Sequence, residues 1–154
     1  MVYSKEINDP AVIRWAMGSP MTAEDGQTRP IKIAVVGLSD KPGRVSLSVS
    51  RRMQQWGYKI IPVNPRAVEV LGEKGYPSLA ALPEPVDIVQ VFRRPEFIPD
   101  VVVDLKQMAV KPKLLWLQEG IIHEEAAQEA LEWGVSVVMD RCTYKEVVRN
   151  QQGG

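Results

Sequence analysis

Ile31-Lys32-Ile33-Ala34-Val35-Val36-Gly37-Leu38-Ser39-Asp40-Lys41-Pro42-Gly43-Arg44-Val45-Ser46-Leu47-Ser48-Val49-Ser50-Arg51-Arg52-Met53-Gln54-Gln55-Trp56-Gly57 is the stretch on which the fold turns. Its first six residues form a β-branched run closed by a glycine, the pattern of a strand covered on both faces. A turn-rich segment, 38–45, follows. Beyond it Leu47, Val49, Met53 and Trp56 gather toward one side of a helix, which Ser46 is placed to cap and Gly57 to stop. The order is strand, loop, helix.

The same order continues toward the C-terminus. Strands are predicted at 58–63, 86–92, 113–117 and 135–139, short helical pieces at 67–71 and 78–82, and helices at 95–108 and 124–133. Repeated β-α-β order implies a parallel sheet with right-handed crossovers and helices on both faces. The fold class is therefore α/β, a doubly wound Rossmann-like domain over 31–148. Upstream, Asp9 as cap, Pro10 at the first helical position and Gly18 as stop predict a short helix, and 19–30 reads as a lead-in loop. Residues 149–154 read as a tail.

The 154 residues carry 19 Lys+Arg against 19 Asp+Glu, with 45% hydrophobic and 25% charged side chains. This is the composition of one ordinary soluble domain, and its balance excludes a broadly basic coat for nucleic acid or an anionic membrane. The neutrality is a sum of opposites. Six cations (Lys41, Arg44, Arg51, Arg52, Lys59, Arg66) face Asp40 alone over 37–66, whereas seven acids face Arg141 and Lys145 over 118–146. The single cysteine, Cys142, fits a reducing compartment, and neither a signal core nor an apolar run of membrane-spanning length is present. The expectation is a cytoplasmic protein without nucleic-acid or membrane partners.

In a doubly wound sheet, ligands bind beyond the carboxyl ends of the strands where the strand order reverses. Attention therefore falls on the loops after the strands. The segment from Gly37 to Arg44 departs from the G-x-G-x-x-G dinucleotide fingerprint, since Ser39 stands at its second glycine. It still supplies Gly37 at a strand exit, the Ser39 hydroxyl, the cations Lys41 and Arg44, and a following helix N-terminus, all suited to an anion. An ordinary solvated turn is the competing reading. After the second strand, Asn64-Pro65-Arg66 replaces the acid that an NAD site places there for the ribose, and Arg66 would welcome a phosphate on that ribose. That favours coenzyme A, and NADP less, over NAD. Phe92-Arg93-Arg94 at the next strand exit offers an apolar face and guanidinium groups that match phosphate bidentately.

Taken in order, Val-Gly-Leu-Ser-Asp-Lys-Pro-Gly-Arg (36–44), Ile-Ile-Pro-Val-Asn-Pro (60–65), Glu-Val-Leu-Gly-Glu-Lys-Gly-Tyr-Pro-Ser-Leu (69–79), Val-Phe-Arg-Arg-Pro-Glu (91–96), Leu-Trp-Leu-Gln-Glu-Gly-Ile (115–121) and Val-Val-Met-Asp-Arg-Cys (137–142) resemble the small stand-alone CoA-binding proteins. These in turn are similar to the N-terminal CoA-binding domain of the succinyl-CoA synthetase alpha subunit. The resemblance implies a CoA or acyl-CoA site in which Gly37, Ser39 and Arg44 approach the phosphates. Asn64 and Pro65 would lie near the adenosine, and Phe92, Arg93 and Gln118 beside the pyrophosphate or pantetheine. Two departures from the synthetase argue against ligase catalysis: Asn64-Pro65 stands where its glycine-rich, lysine-bearing loop would be, and no domain carrying a phosphorylated histidine follows. The implied activity is binding of a small nucleotide ligand without a reaction of its own, with a homo-oligomer or a protein partner compatible. The alternatives are an NAD(P)(H)-binding redox sensor and a non-catalytic subunit of an acyl-CoA-using enzyme.

Catalytic and metal constellations are weak. His123 reads as the cap or first turn of a helix, with Glu124 and Glu125 explained by that helix's N-terminus. Cys142 reads as a structural thiol, with mixed disulfide formation to CoA as the sharper alternative, and the four tryptophans as core. No metal cluster is visible in the sequence.

Overall fold

A computed structural model describes residues 3–152. Five parallel strands form the main sheet: β3 (Lys32–Val36), β4 (Lys59–Val63), β5 (Ile88–Val91), β6 (Leu114–Leu117) and β7 (Ser136–Val138). Their order across the sheet is β4-β3-β5-β6-β7. The chain starts in β3, winds outward to β4, and returns past β3 to wind the other way. This is the second of the two common doubly wound orders, and it puts the reversal between β3 and β5.

Side-chain alternation explains the two layers. Ile33, Val35, Ile88, Leu114, Trp116 and Val138 point into one apolar cluster, which is covered by α1 (Pro10–Met17), α2 (Val45–Trp56) and α5 (Thr143–Gln152). Their neighbours Ala34, Val89, Val91, Leu115, Leu117 and Val137 point into a second cluster, covered by α3 (Ile98–Lys106) and α4 (Glu124–Glu132). Burial on both faces is why these strands are continuously apolar instead of alternating. Trp116 is fully buried, and its indole N–H finds the Arg141 carbonyl at 2.8 Å.

Several boundaries differ from the sequence reading. The expected lead-in loop over 19–30 contains a hairpin, β1 (Met21–Glu24) and β2 (Gln27–Pro30), turned through Asp25 and Gly26 at φ 52° and 78°. Residues 67–71 are not helical: the Val68 N–H is drawn to the Asn64 side chain at 3.3 Å, Ala67 and Leu71 take positive φ, and Val70 bridges Glu73. Ser46 does not cap α2. Arg44 occupies that position, and the Ser46 hydroxyl accepts the Ser39 N–H at 3.1 Å. The expected helix over 95–108 is a 3-10 turn, Pro95–Phe97, followed by α3. The expected C-terminal tail is helical through Gln152, while residues 153–154 lie outside the described residues.

The N-terminal segment closes the β7 edge of the sheet. Asn8 donates its backbone N–H to the Val137 carbonyl at 3.0 Å, and its side chain both accepts from and donates to the Met139 backbone at 2.7 and 3.0 Å. An exposed strand edge invites pairing with another chain, and this segment removes that opportunity. At the opposite end of the strands from the loops of interest, buried Asp87 accepts two bonds from Arg29 of β2 at 2.8 Å, the Lys32 N–H at 2.8 Å and Lys113 at 3.1 Å. Among the described residues, no helix is long and apolar enough to cross a membrane.

Candidate functional site

The carboxyl ends of β4, β3, β5 and β6 open into one cleft of about 910 Å³. It lies at the topological reversal, as the fold requires. Gly37, Ser39, Lys41, Arg44, Asn64, Pro65, Phe92, Arg93 and Gln118, singled out from the sequence, all line it. Residues 37–44 supply one wall, 64–66 a second, 92–95 a third and 118–121 a fourth.

Glycine at position 37 is a geometric necessity. Its φ is +85°, and a Cβ there would come within 2.6 Å of the Phe92 carbonyl oxygen. The bare backbone lets the exits of β3 and β5 close together, so the loop after β3 passes directly beneath the cleft. That loop then delivers the N-terminus of the 12-residue α2, whose first turn carries no acid and no side-chain cap. Its free N–H groups and the positive end of its dipole face the same space as Lys41 and Arg44.

The electrostatics are one-sided. Lys41, Arg44, Arg66 and Arg93 line the cleft, and none of them forms an ion pair among the described residues. Arg93 instead lays its guanidinium over the Phe97 ring, 4.3 Å from the centroid. Of the two acids at the rim, Glu119 is taken up by Lys145 at 2.9 Å, and this bond holds the ammonium's pKa above its ordinary value. Asp40 is the other. Of the other three cations of the basic stretch, none lines the cleft: Arg52 stacks on Tyr144, Lys59 pairs with Glu73, and Arg51 is exposed on α2.

Two buried polar atoms lack a hydrogen-bond partner among the described residues, one on the cleft-lining Asn64 and one below the cleft on Gln90. The Asn64 Nδ2 is sealed from solvent and bonds nothing, although the same residue's Oδ1 accepts from Val68. Beneath Gln118, the fully buried Gln90 donates its Nε2 to Gln118 Oε1 at 2.9 Å and to Thr143 Oγ1 at 3.0 Å, leaving its own Oε1 unpartnered. Gln90 did not figure among the sequence-derived site residues. The signal was there, a lone amide inside the apolar run Ile88-Val89-Gln90-Val91.

The side chains weighed for reactivity lie outside the cleft lining. His123 is the N-cap of α4, where its Nδ1 accepts the Ala126 N–H at 3.1 Å. Cys142 is buried in the cluster with Trp116 and Val147, away from the cleft lining. Among the described residues no group of His, Cys, Asp or Glu could hold a metal ion. The donor set suits an anionic nucleotide: backbone N–H groups, cations without carboxylate partners, and an amide in place of a ribose-binding acid.

Comparison with known proteins bears on which nucleotide. The family model described as a CoA binding domain matches residues 32–147. An uncharacterised protein of Bacillus subtilis, YneT, is 45% identical over 128 residues, covering 82% of this chain and 93% of that protein. The ADP-forming acetate–CoA ligase II of Archaeoglobus fulgidus is 32% identical over 109 residues, which is 67% of this chain but 16% of the ligase. A solved structure from Thermus thermophilus, cell-free ID.343, superposes with a TM-score of 0.73 at 41% identity, over 78% of this chain and 90% of that one.

Proposed function

Because the chain belongs to the CoA-binding domain family, we propose that it binds coenzyme A, free or as an acyl thioester, and performs no reaction on it. The observation that carries this reading is the set of four cleft cations without carboxylate partners, gathered with an uncapped helix N-terminus at the reversal of the sheet. CoA carries three phosphates, one more than NAD. Its pyrophosphate suits the loop at Gly37, Ser39, Lys41 and Arg44 together with Arg93. Its 3′-phosphate suits Arg66, two residues beyond Asn64, which stands where an NAD site needs an acid. Phe92 and Gln118 then border the pantetheine arm.

The test is thermal denaturation of the purified protein with CoA, acetyl-CoA, NAD, NADH and NADPH, alongside native mass spectrometry for a co-purified ligand. A ligand at a hundred times its Kd stabilises by about 2.7 kcal/mol, roughly 5–10 °C for a chain of this size. CoA or acetyl-CoA should give that shift, and NAD should not. A response to NADH with none to CoA would overturn the reading.

A further inference from the structure

The cleft has a direction. Asn64 and Arg66 follow β4, Gly37 follows β3, Arg93 follows β5 and Gln118 follows β6. With strands about 4.8 Å apart, the Gln118 end lies roughly 14 Å from the Asn64 end. If the adenosine is at β4 and the phosphates at the reversal, as proposed above, the sulfur end of the ligand is directed toward β6. Gln118 is the neutral polar side chain there, Glu119 being taken up by Lys145, and Ile121 nearby is apolar.

Gln118 is not free to present either end of its amide. Its Oε1 is occupied by the N–H of Gln90, which is itself fully buried and braced against Thr143. The reversed amide arrangement would strand the two N–H donors of Gln90 in the core, whereas the observed one strands only a carbonyl, the less costly group to leave unpaired. The Nε2 is then the free end of the Gln118 amide: among the described residues it has no hydrogen-bond partner, it is not among the atoms sealed from solvent, and Gln118 lines the cleft. An N–H donor complements a carbonyl oxygen. It has little to offer a free thiol, which is weak as donor and as acceptor.

We propose that Gln118, oriented from below by Gln90, donates a hydrogen bond to the thioester carbonyl of a short acyl-CoA, with Ile121 against the alkyl group, so that the site distinguishes an acylated ligand from free CoA. Gln90 is the positioning residue in this arrangement.

Isothermal titration with CoA, acetyl-CoA and the thioether S-ethyl-CoA separates the carbonyl from the added carbons. The wild type should bind acetyl-CoA about five- to tenfold more tightly than S-ethyl-CoA, the worth of one net hydrogen bond. Gln118→Met, similar in shape but without the donor, should bring that ratio near one, and Gln90→Leu should reduce it while the protein still melts cooperatively. Equal binding of acetyl-CoA and S-ethyl-CoA by the wild type, an unchanged ratio in Gln118→Met, or a uniform loss across all three ligands would overturn the proposal while leaving CoA binding in place. Failure of the wild type to bind any of the three would instead remove the reading on which it rests.

Discussion

A Cβ on Gly37 would lie 2.6 Å from the carbonyl oxygen of Phe92, so the exits of β3 and β5 approach closely enough that only glycine fits between them. That carbonyl is backbone, which cannot swing aside, and the φ of +85° disfavours any L side chain independently. Gly37→Ala is expected to destabilise the fold by about 2–3 kcal/mol, a drop of roughly 5–10 °C in Tm, and to weaken CoA binding as the loop beneath the cleft is displaced. A calorimetric melt within a degree of wild type would show that the two exits are not in contact.

Cations without carboxylate partners make binding sensitive to salt. Arg44→Ala and Arg93→Ala should each weaken CoA by about 1–3 kcal/mol, the range for hydrogen bonds to a charged group. Wild-type affinity should fall as NaCl is raised from about 0.05 to 0.5 M, because the screening length shrinks across that range. An affinity that is flat with salt, together with two silent variants, would mean that the phosphates sit elsewhere.

Arg66 is expected to read the phosphate on the ribose. The wild type should prefer CoA to dephospho-CoA, and Arg66→Ala should reduce that preference about tenfold, with acetyl-CoA and CoA affected alike. Equal affinities for CoA and dephospho-CoA in the wild type would remove this role.

Legibility in the sequence followed the strength of the apolar pattern. Strands β3 to β7 are short runs buried on both faces, so each announces itself, and the cleft follows from the order of the strands without any side-chain detail. The β1–β2 hairpin carried its signal only in the turn Asp25-Gly26, because its strands are largely exposed and lack alternation. Helix α5 begins with a buried polar residue, Thr143, and its Tyr-Lys-Glu-Val-Val-Arg-Asn-Gln-Gln course reads as solvent-facing. It is held by Val147 and by Gln151, which donates to the Met17 carbonyl at 3.1 Å. Residues 67–71 read as helical, but the backbone turn from Asn64 to Ala67 and the Asn64 side chain, which accepts the Val68 N–H, win locally. At the site, the exposed cations and Gly37 could be read one by one. The Gln90–Gln118–Thr143 network joins residues far apart in sequence and could be found only in three dimensions.

Asp87 gives the fold a pH dependence of known sign. Burial works to raise its pKa, but the bonds from Arg29, the Lys32 N–H and Lys113 outweigh it and hold the carboxyl below its ordinary value of 3.8. A carboxylate whose pKa is lowered by folding contributes stability that is complete above the unfolded-state value and is lost as pH falls through the folded-state value. Asp87→Asn should therefore cost about 2–3 kcal/mol at neutral pH, since it leaves Arg29 and Lys113 without their buried acid. The gap from wild type should shrink as the pH is taken below about 4. Chemical denaturation at several pH values measures this, and a gap that widens with acid would contradict it.

His123 offers the last discrimination, between a reactive and a structural histidine. Its Nδ1 accepts the Ala126 N–H at 3.1 Å, satisfying one of the unpaired donors in the first turn of α4. Asparagine is a strong residue at that position and can make the same bond, whereas alanine cannot. His123→Asn should keep the wild-type melting temperature, and His123→Ala should lose about 1 kcal/mol, seen as a drop of roughly 2–4 °C. Both variants should bind CoA as the wild type does, because His123 does not line the cleft. A loss of CoA binding in His123→Asn with an unchanged melt would instead move the histidine into the site and reopen the question of chemistry on the bound thioester.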